Sequence, residues 1–347
     1  MNKNRKMLMQ MFANANVQTT LLNTPGNDLS PEMKTFYDKT LIALAGPKLV
    51  HDQFGQKKPI PQGSGKTIEF RKYDSLPKAT TPLTEGVTPD GSTLNVTAIT
   101  ATVAQYGAYI TISDMLKLTA IDNNITESLR LLGDQSGRTL DTITRDVLAG
   151  GTSVNYAGGK TSRASLTTND KLKVIEIEKA ATQLQAANAP TFSDGSYVAI
   201  IHPYASFDLR TSSEWIDVHK YTDAAVNKMF EGEIGKLGNV RFVATTEAKI
   251  WKSAADNCPS YTSGSDTLYY AVFSTLVLGA NAYGVTDVEG GGLQTFVKQL
   301  GSAGTADPLS QRATVGWKAT KTAERLVEQY MIRIESLSAY STQAAAN

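Results

Sequence analysis

The stretch "ITESLRLLGDQSGRTLDTITRDVLAGG", residues 125–151, decides how the rest of the chain can be arranged. Ile125, Leu129, Leu132, Ser136, Leu140, Ile143 and Val147 recur at alternating steps of four and three, which sets them on one narrow stripe of a helix. The six apolar members, Ile125, Leu129, Leu132, Leu140, Ile143 and Val147, are the expected packing residues. The same spacing predicts Glu127, Arg130, Asp134, Arg138, Asp141 and Arg145 on the opposite side. There Arg130/Asp134, Asp134/Arg138 and Asp141/Arg145 would form i,i+4 pairs, each worth about 0.2–0.5 kcal/mol. Asp122, Asn123 or Asn124 supplies a start cap and Gly150-Gly151 a stop. From residue 125 to 148 the helix is a rod of roughly 36 Å. Gly133 and Gly137 weaken it by up to about 1 kcal/mol each relative to alanine. Close packing on that flank would offset the cost; simple tolerance is the alternative.

Upstream of the rod the texture turns to strands, at residues 67–72, 93–106 and 108–113. Between the first two lies "YDSLPKATTPLTEGVTPDG", residues 73–91, with Pro77, Pro82 and Pro89 and almost nothing that could form a private core. So long an insert without its own apolar payload is uncommon in a compact domain and is usually functional or disordered. In residues 93–106 the apolar phase runs through Leu94, Val96 and Ala98 and then shifts to Ile99, Ala101 and Val103, predicting a bulge or strong twist. A long two-stranded arm is only marginally stable alone. It needs a partner surface, and another copy of the same chain is the simplest one.

The start of this arm, "QGSGKTIEF" at residues 62–70, imitates a nucleotide-binding loop. The full motif requires a glycine five positions before Gly65, where Ile60 stands, and a helix after it. Instead Ile68 and Phe70 alternate with charges, so the stretch reads as a Gly/Ser turn feeding a strand.

The bulk properties fit a globular chain. Its 347 residues, 41% of them hydrophobic, can build two or three compact units, and a net charge of +1 argues against a dedicated nucleic-acid binder. Cys258 is the single cysteine, which excludes an intrachain disulfide and suits a reducing compartment. No apolar run approaches the length of a bilayer span. The opening "MNKNRKMLMQMFANANV" imitates a secretory signal, but Gln10 interrupts it, and the expectation is an N-terminal arm ordered by contacts with something else. A helix is expected from Ser30 and Pro31 to Gly46-Pro47. Further on, a helix carries Val174, Ile177, Ala181 and Leu184, and the continuous apolar run 197–201 reads as a strand buried on both faces, followed by a short helix through Leu209. Strands are expected at 240–244, 268–273, around Val315, Trp317 and Ala319, and at 329–334, giving an α/β unit.

No catalytic set emerges. His51, His202 and His219 are the only histidines, and none pairs at metal-ligand spacing; Asp217 and His219 could share one side of a strand, but a third ligand is unidentified. His202, before Pro203, reads as a turn or packing residue. The chain lacks Gly-x-Ser-x-Gly, Cys258 sits in a polar loop without a nearby histidine, and Gly290-Gly291-Gly292 opens no evident βαβ unit. Glu231 and Glu233 read as a charged face.

The order of these parts resembles the major capsid proteins of tailed bacteriophages, in a coat-protein family of podovirus-type and related phages with the Hong Kong phage-type shell fold. The stretches that carry it cover nearly the whole chain. They include "LSPEMKTFYDKTLI", "HDQFGQKKPIPQGSGKTIEFRKYDSLPKATTPLTEGVTPDG", "QYGAYITISDMLKLTAIDN", "LLGDQSGRTLDTITRDVLAGG", "IHPYASFDLRTSSEWIDVHKY", "GEIGKLGNVRFVATTEAKIW" and "VEGGGLQTFVKQLGSAGTADPLSQRATVGWKATKTAE". The resemblance implies an α+β fold in which residues 1–58 form an N-terminal arm, 59–108 an extended β-hairpin loop, 109–155 a peripheral domain with the long spine helix, 156–285 an α/β axial domain, and 286–347 a return to the axial and peripheral sheets.

It further implies a structural subunit and not an enzyme, without cofactor, catalytic or metal residues. Such a subunit self-assembles into pentamers and hexamers of an icosahedral head enclosing double-stranded DNA. Phe70, Lys72, Tyr73, Leu76, Pro77, Lys78, Pro82, Leu83, Glu85 and Val87 would make the loop's inter-subunit contacts. The implied partners are other copies, a portal, separate scaffolding or decoration proteins, and DNA held non-specifically, with no membrane. The implied location is the virion, after assembly in the bacterial cytoplasm. Lys66, Lys72 and Lys78 lie in or beside the loop, but no acceptor asparagine or catalytic glutamate can be matched, so covalent cross-linking is not expected. The rival readings are an encapsulin-like nanocompartment shell subunit and an unrecognised hydrolase or nucleotide binder.

Overall fold

The computed structural model describes residues 49–73, 76–88, 90–119, 124–220, 233–302 and 307–347. The helix expected over residues 30–46, most of the N-terminal arm, Asp122, Asn123 and Glu231 lie outside them. The described chain begins with β1 (Gln56–Lys57), β2 (Thr67–Tyr73), β3 (Val96–Thr102) and β4 (Ala104–Ser113), followed by α1 (Asp114–Thr119) and α2 (Asn124–Ala149). Next come β5 (Val154–Tyr156), α3 (Val174–Ala186), β6 (Tyr197–Ile201), α4 (Pro203–Arg210) and α5 (Ser213–Lys220). Six strands follow: β7 (Glu233–Leu237), β8 (Val240–Ala244), β9 (Ile250–Trp251), β10 (Ser260–Ser263), β11 (Asp266–Tyr269) and β12 (Val272–Leu278). The chain closes with β13 (Tyr283–Thr286), β14 (Gln294–Lys298), β15 (Arg312–Arg325) and β16 (Met331–Ser336).

Two compact units result. Among the described residues, one holds those of Gln105–Arg138 and Gly291–Thr320; the other holds those of Leu49–Ala104, Thr139–Gly290 and Lys321–Asn347. The division falls inside α2, after Arg138, and inside β15, after Thr320.

The larger unit is built on a sheet of order β5-β16-β12-β6-β8-β7, with β9 also paired to β12. Every residue of β6, β12 and β16 is buried, because both faces of the sheet are covered. Period-two alternation sorts the two cores. Tyr197, Ala199 and Ile201 face Val174, Ile177, Ala181 and Leu184 of α3 together with Leu209 and Trp215. Val198 and Ile200 face the other way, onto Leu148 of α2, Val50, Phe54 and Tyr283. The register Leu276↔Ile200, Val277↔Ala199 and Leu278↔Val198 continues both sets across the sheet.

In the smaller unit β14 and β4 pair with the first part of β15. Ala313, Val315, Trp317 and Ala319 are buried in alternation, and Trp317 Nε1 donates to Gln135 Oε1 of α2 at 3.3 Å.

Four expectations are corrected. The buried side of α2 is not a purely apolar stripe: Asp141 and Arg145, expected outside, are 0% and 2% exposed, while Ile143 and Val147 are only half-buried. Both charged side chains find partners far along the chain. Asp141 takes His51, and Arg145 donates to the Glu247 carbonyl at 3.0 Å and pairs with Asp146. Gly133 and Gly137 lie on the same buried flank. The strand expected over 93–106 starts only at Val96 and breaks at buried Val103. The one expected over 268–273 is two strands with different partners, β11 with β10 and β12 with β16 and β6. Asp217 and His219 lie on helix α5, whose start is capped by Ser212 Oγ accepting from Trp215 N at 3.3 Å, so the shared strand face does not exist.

Candidate functional site

The arm begins at a turn through Gly63 and Gly65, both with positive φ, closed by Ser64 N donating to the Pro61 carbonyl at 3.1 Å. A strand follows, as the alternation of Ile68 and Phe70 requires. β2 and β3 run antiparallel in unbroken register from Thr67↔Thr102 to Tyr73↔Val96. Their lower end has a core: Ala101 and Val103 are buried, and Phe70 is 6% exposed. Phe70 packs on Gly284, where a Cβ would lie 2.8 Å from its Cζ, so only glycine admits the ring. Phe70 is therefore a root residue of its own chain and not an available inter-subunit contact.

Beyond the root the arm is bare. Every described residue from 76 to 98 is exposed. Tyr73, Leu76, Leu83, Val87, Leu94 and Val96 present large apolar surfaces to solvent, with Leu83 at 78% exposure. Pro77, Lys78, Pro82 and Glu85 are exposed beside them, and Lys72 is half-buried. Turn bonds within this segment are sparse: Thr80 N to the Lys78 carbonyl and Val87 N to the Thr84 carbonyl, each 3.1 Å. Burying a leucine or valine is worth about 1.5–3 kcal/mol. The segment forgoes that several times over while its own chain leaves it uncovered.

The root is held by a second device that spacing did not reveal. β1 lies parallel to β13, and the pairing extends through Ile60, whose N donates to the Asp287 carbonyl and whose carbonyl accepts from Glu289 N, both at 2.8 Å. Just before β1, His51 is fully buried with its N and Nδ1 on Asp141 Oδ1 and Oδ2 at 2.8 and 2.6 Å. The next residue, Asp52, accepts from Thr144 Oγ1 at 2.6 Å and pairs with the buried Lys321 ammonium, which also donates to the Leu140 carbonyl at 2.8 Å. The Tyr283 hydroxyl donates to the His51 carbonyl. Complete burial raises the Tyr283 hydroxyl well above its ordinary pKa, and burial lowers that of Lys321 while Asp52 opposes the shift. The chain entering the arm is thus bolted to α2, β13 and β15.

A further buried group joins the end of α2 to β16. Glu335 takes Arg163 through two bonds of 2.6 and 2.7 Å and Arg333 at 2.9 Å, while the Arg163 guanidinium lies 3.9 Å over the Trp251 ring. Arg333 donates to the Ala149 and Gly151 carbonyls. These networks bear loads between elements. Among the described residues no three His, Cys, Asp or Glu side chains come together as a metal site. Cys258 is buried, and burial pushes its thiol up. Lys66 sits between a turn and a strand, not at a helix N-terminus.

Among these described residues no helix is long and apolar enough to cross a membrane. No curated protein matches the chain by sequence. Solved structures do match its fold. The capsid of Ralstonia phage GP4 is similar at a TM-score of 0.62 and 17% identity, over 83% of this chain and 88% of that one. The capsid of the cyanophage P-SCSP1u is similar at 0.60 and 15% identity, over 84% and 89%. The head protein of Helicobacter pylori bacteriophage KHP40 is similar at 0.56 and 14% identity, over 83% and 88%. The phage capsid protein family model matches residues 93–302, from the far strand of the arm through α2 and strands β5 to β14. With more than half of its length inside that match, the chain belongs to the phage capsid protein family and is a structural subunit of the virion shell.

Proposed function

We propose that copies of this subunit assemble as pentamers and hexamers of an icosahedral head around double-stranded DNA, each laying its arm over a neighbour. The uncovered segment 76–98 supports this reading most directly: its apolar side chains gain their burial only from another molecule. Residues 59–108 act as the extended loop, α2 as the spine of a peripheral domain spanning 109–155, and 156–285 as the axial domain around the symmetry axes. Residues 1–58 serve as the N-terminal arm and 286–347 return to both sheets. Loop contacts come from Tyr73, Leu76, Pro77, Lys78, Pro82, Leu83, Glu85 and Val87, with Lys72 at the margin. A net charge of +1 keeps self-repulsion between copies small. DNA is held without sequence-specific contacts, a portal and a separate scaffolding protein guide assembly, and assembly takes place in the bacterial cytoplasm. The family match favours this reading over a cargo-enclosing nanocompartment.

Deleting residues 73–91 tests the proposal. The expected variant keeps the parent's circular dichroism spectrum but sediments as small species without closed shells. Shells of normal size and yield from the deleted chain would contradict it.

A further inference from the structure

The arm joins its own subunit through a narrow base. Among the described residues β2 and β3 pair only with each other, so no backbone ladder ties the ribbon to another sheet. At the base the two chain crossings, Lys66 and Val103, are joined by Val103 N donating to the Lys66 carbonyl at 2.8 Å. Two crossings side by side leave a tilt about the line through them. Phe70 is the outermost buried residue of the ribbon and lies off that line, roughly 14 Å beyond Lys66 along the strand. The floor beneath its ring is held on both edges, because Gly284 pairs with Gln56 of β1 and with Glu324 of β15. On the other face of β13 Gly55 closes on Tyr283 and Val285, where a Cβ would lie 2.6 and 2.8 Å from their side chains. A Cβ at Gly284 would meet Phe70 Cζ, Cε1 and Cε2 at 2.8, 3.0 and 3.4 Å. With the strand clamped, that Cβ has to push the ring, and ordinary carbon contact implies a retreat of about 1 Å. On a lever of roughly 14 Å this is a tilt of roughly 4°. Glycine weakens a strand interior, yet Gly284 lies inside β13; the seat for the ring accounts for it.

We propose that Phe70 seated on Gly284 is a positioning contact: it sets the angle at which the arm leaves its subunit, and through that angle whether copies close into a shell. The inference rests on the arm-over-neighbour reading and adds what aims the arm. A contact repeated from copy to copy closes only when the rotation between copies permits. The same tilt in each copy therefore accumulates around the ring, and a change confined to one side chain at the root reaches the whole assembly.

The test compares Gly284→Ala, Phe70→Leu and the two together. Leucine lacks the three ring atoms that meet the floor, so the double variant exchanges ring for methyl at one seat. Each single variant is expected to lose most closed shells of parental diameter, read by sedimentation and electron microscopy, and the double variant to recover them. Spin labels on Thr97→Cys in β3 and Ile175→Cys in α3, both exposed positions, report the arm's angle in the unassembled subunit, while the native Cys258 is buried. Gly284→Ala is expected to shift the distance between the labels, Phe70→Leu to broaden it, and the double variant to restore it. Phe70→Leu introduces no clash and carries the same test if Gly284→Ala does not fold. Loss of shells with an unchanged label distance would make the contact structural only and overturn the proposal. Parental shells from the single variants, while deletion of residues 73–91 abolishes them, would overturn it and leave the arm reading standing. Parental shells from the deletion chain would overturn both.

Discussion

His202 shows how much one side chain of the larger unit is committed to its environment. Its Nδ1 accepts from Tyr204 N at 3.1 Å as the cap of α4, and its ring packs against Tyr204 and Phe273 with centroids 4.8 and 5.1 Å away. Burial lowers its pKa from 6.5 to about 4. Between those values the unfolded chain takes up a proton that the native chain refuses, so stability falls as pH drops from 6.5 toward 4 and this group adds no further loss below. Urea unfolding of the unassembled subunit between pH 7 and pH 4 should show that slope, and His202→Asn, which keeps a cap acceptor without titrating, should flatten it. The same slope in the variant would exclude His202 as its source. The dipeptide His202-Pro203 was legible as a turn or packing feature from sequence alone. Asp141 was not, because Arg145 offered a plausible local partner four residues on, whereas the partner it takes, His51, is 90 residues away.

At the scale of elements, local pattern was a good guide wherever the buried face is apolar. The run 197–201, the apolar face of α3 and the alternation of Val315, Trp317 and Ala319 all fold as their periodicities require. It was a poor guide where burial is polar and long-range. The buried side of α2 admits Asp141, Thr144 and Arg145 because residues 51–52, Lys321 and the Glu247 carbonyl meet them there. The Asp52–Lys321 pair locks the entry of the arm to that helix. Asp52→Ala would leave the buried Lys321 ammonium without its carboxylate, and breaking a buried pair in this way costs about 3–5 kcal/mol. The expected result is that loss in the urea unfolding of the unassembled subunit, most of it recovered in Asp52→Asn with Lys321→Met, where neither charge remains and the Thr144 acceptor is kept. A loss below about 1 kcal/mol, the range of an exposed pair, would contradict the lock.

At the scale of the whole molecule, the sheet cores and the arm differ in where their burial comes from. The seven-stranded sheet of the larger unit completes its own cores, so its fold follows from a single chain. The arm does not, and the proposed assembly supplies the cover that its exposed leucines, valines and prolines lack in their own chain. That incompleteness was readable in the sequence as an insert without a private core, which calls for a partner surface, whereas the shell was implied only by the family resemblance. Amide hydrogen exchange across residues 76–98, compared between unassembled subunits and closed shells, tests the central claim most directly. The account predicts fast exchange in the free subunit and strong protection in the shell, with β6 and β12 protected alike in both. Equal protection of the arm in the two states would contradict it.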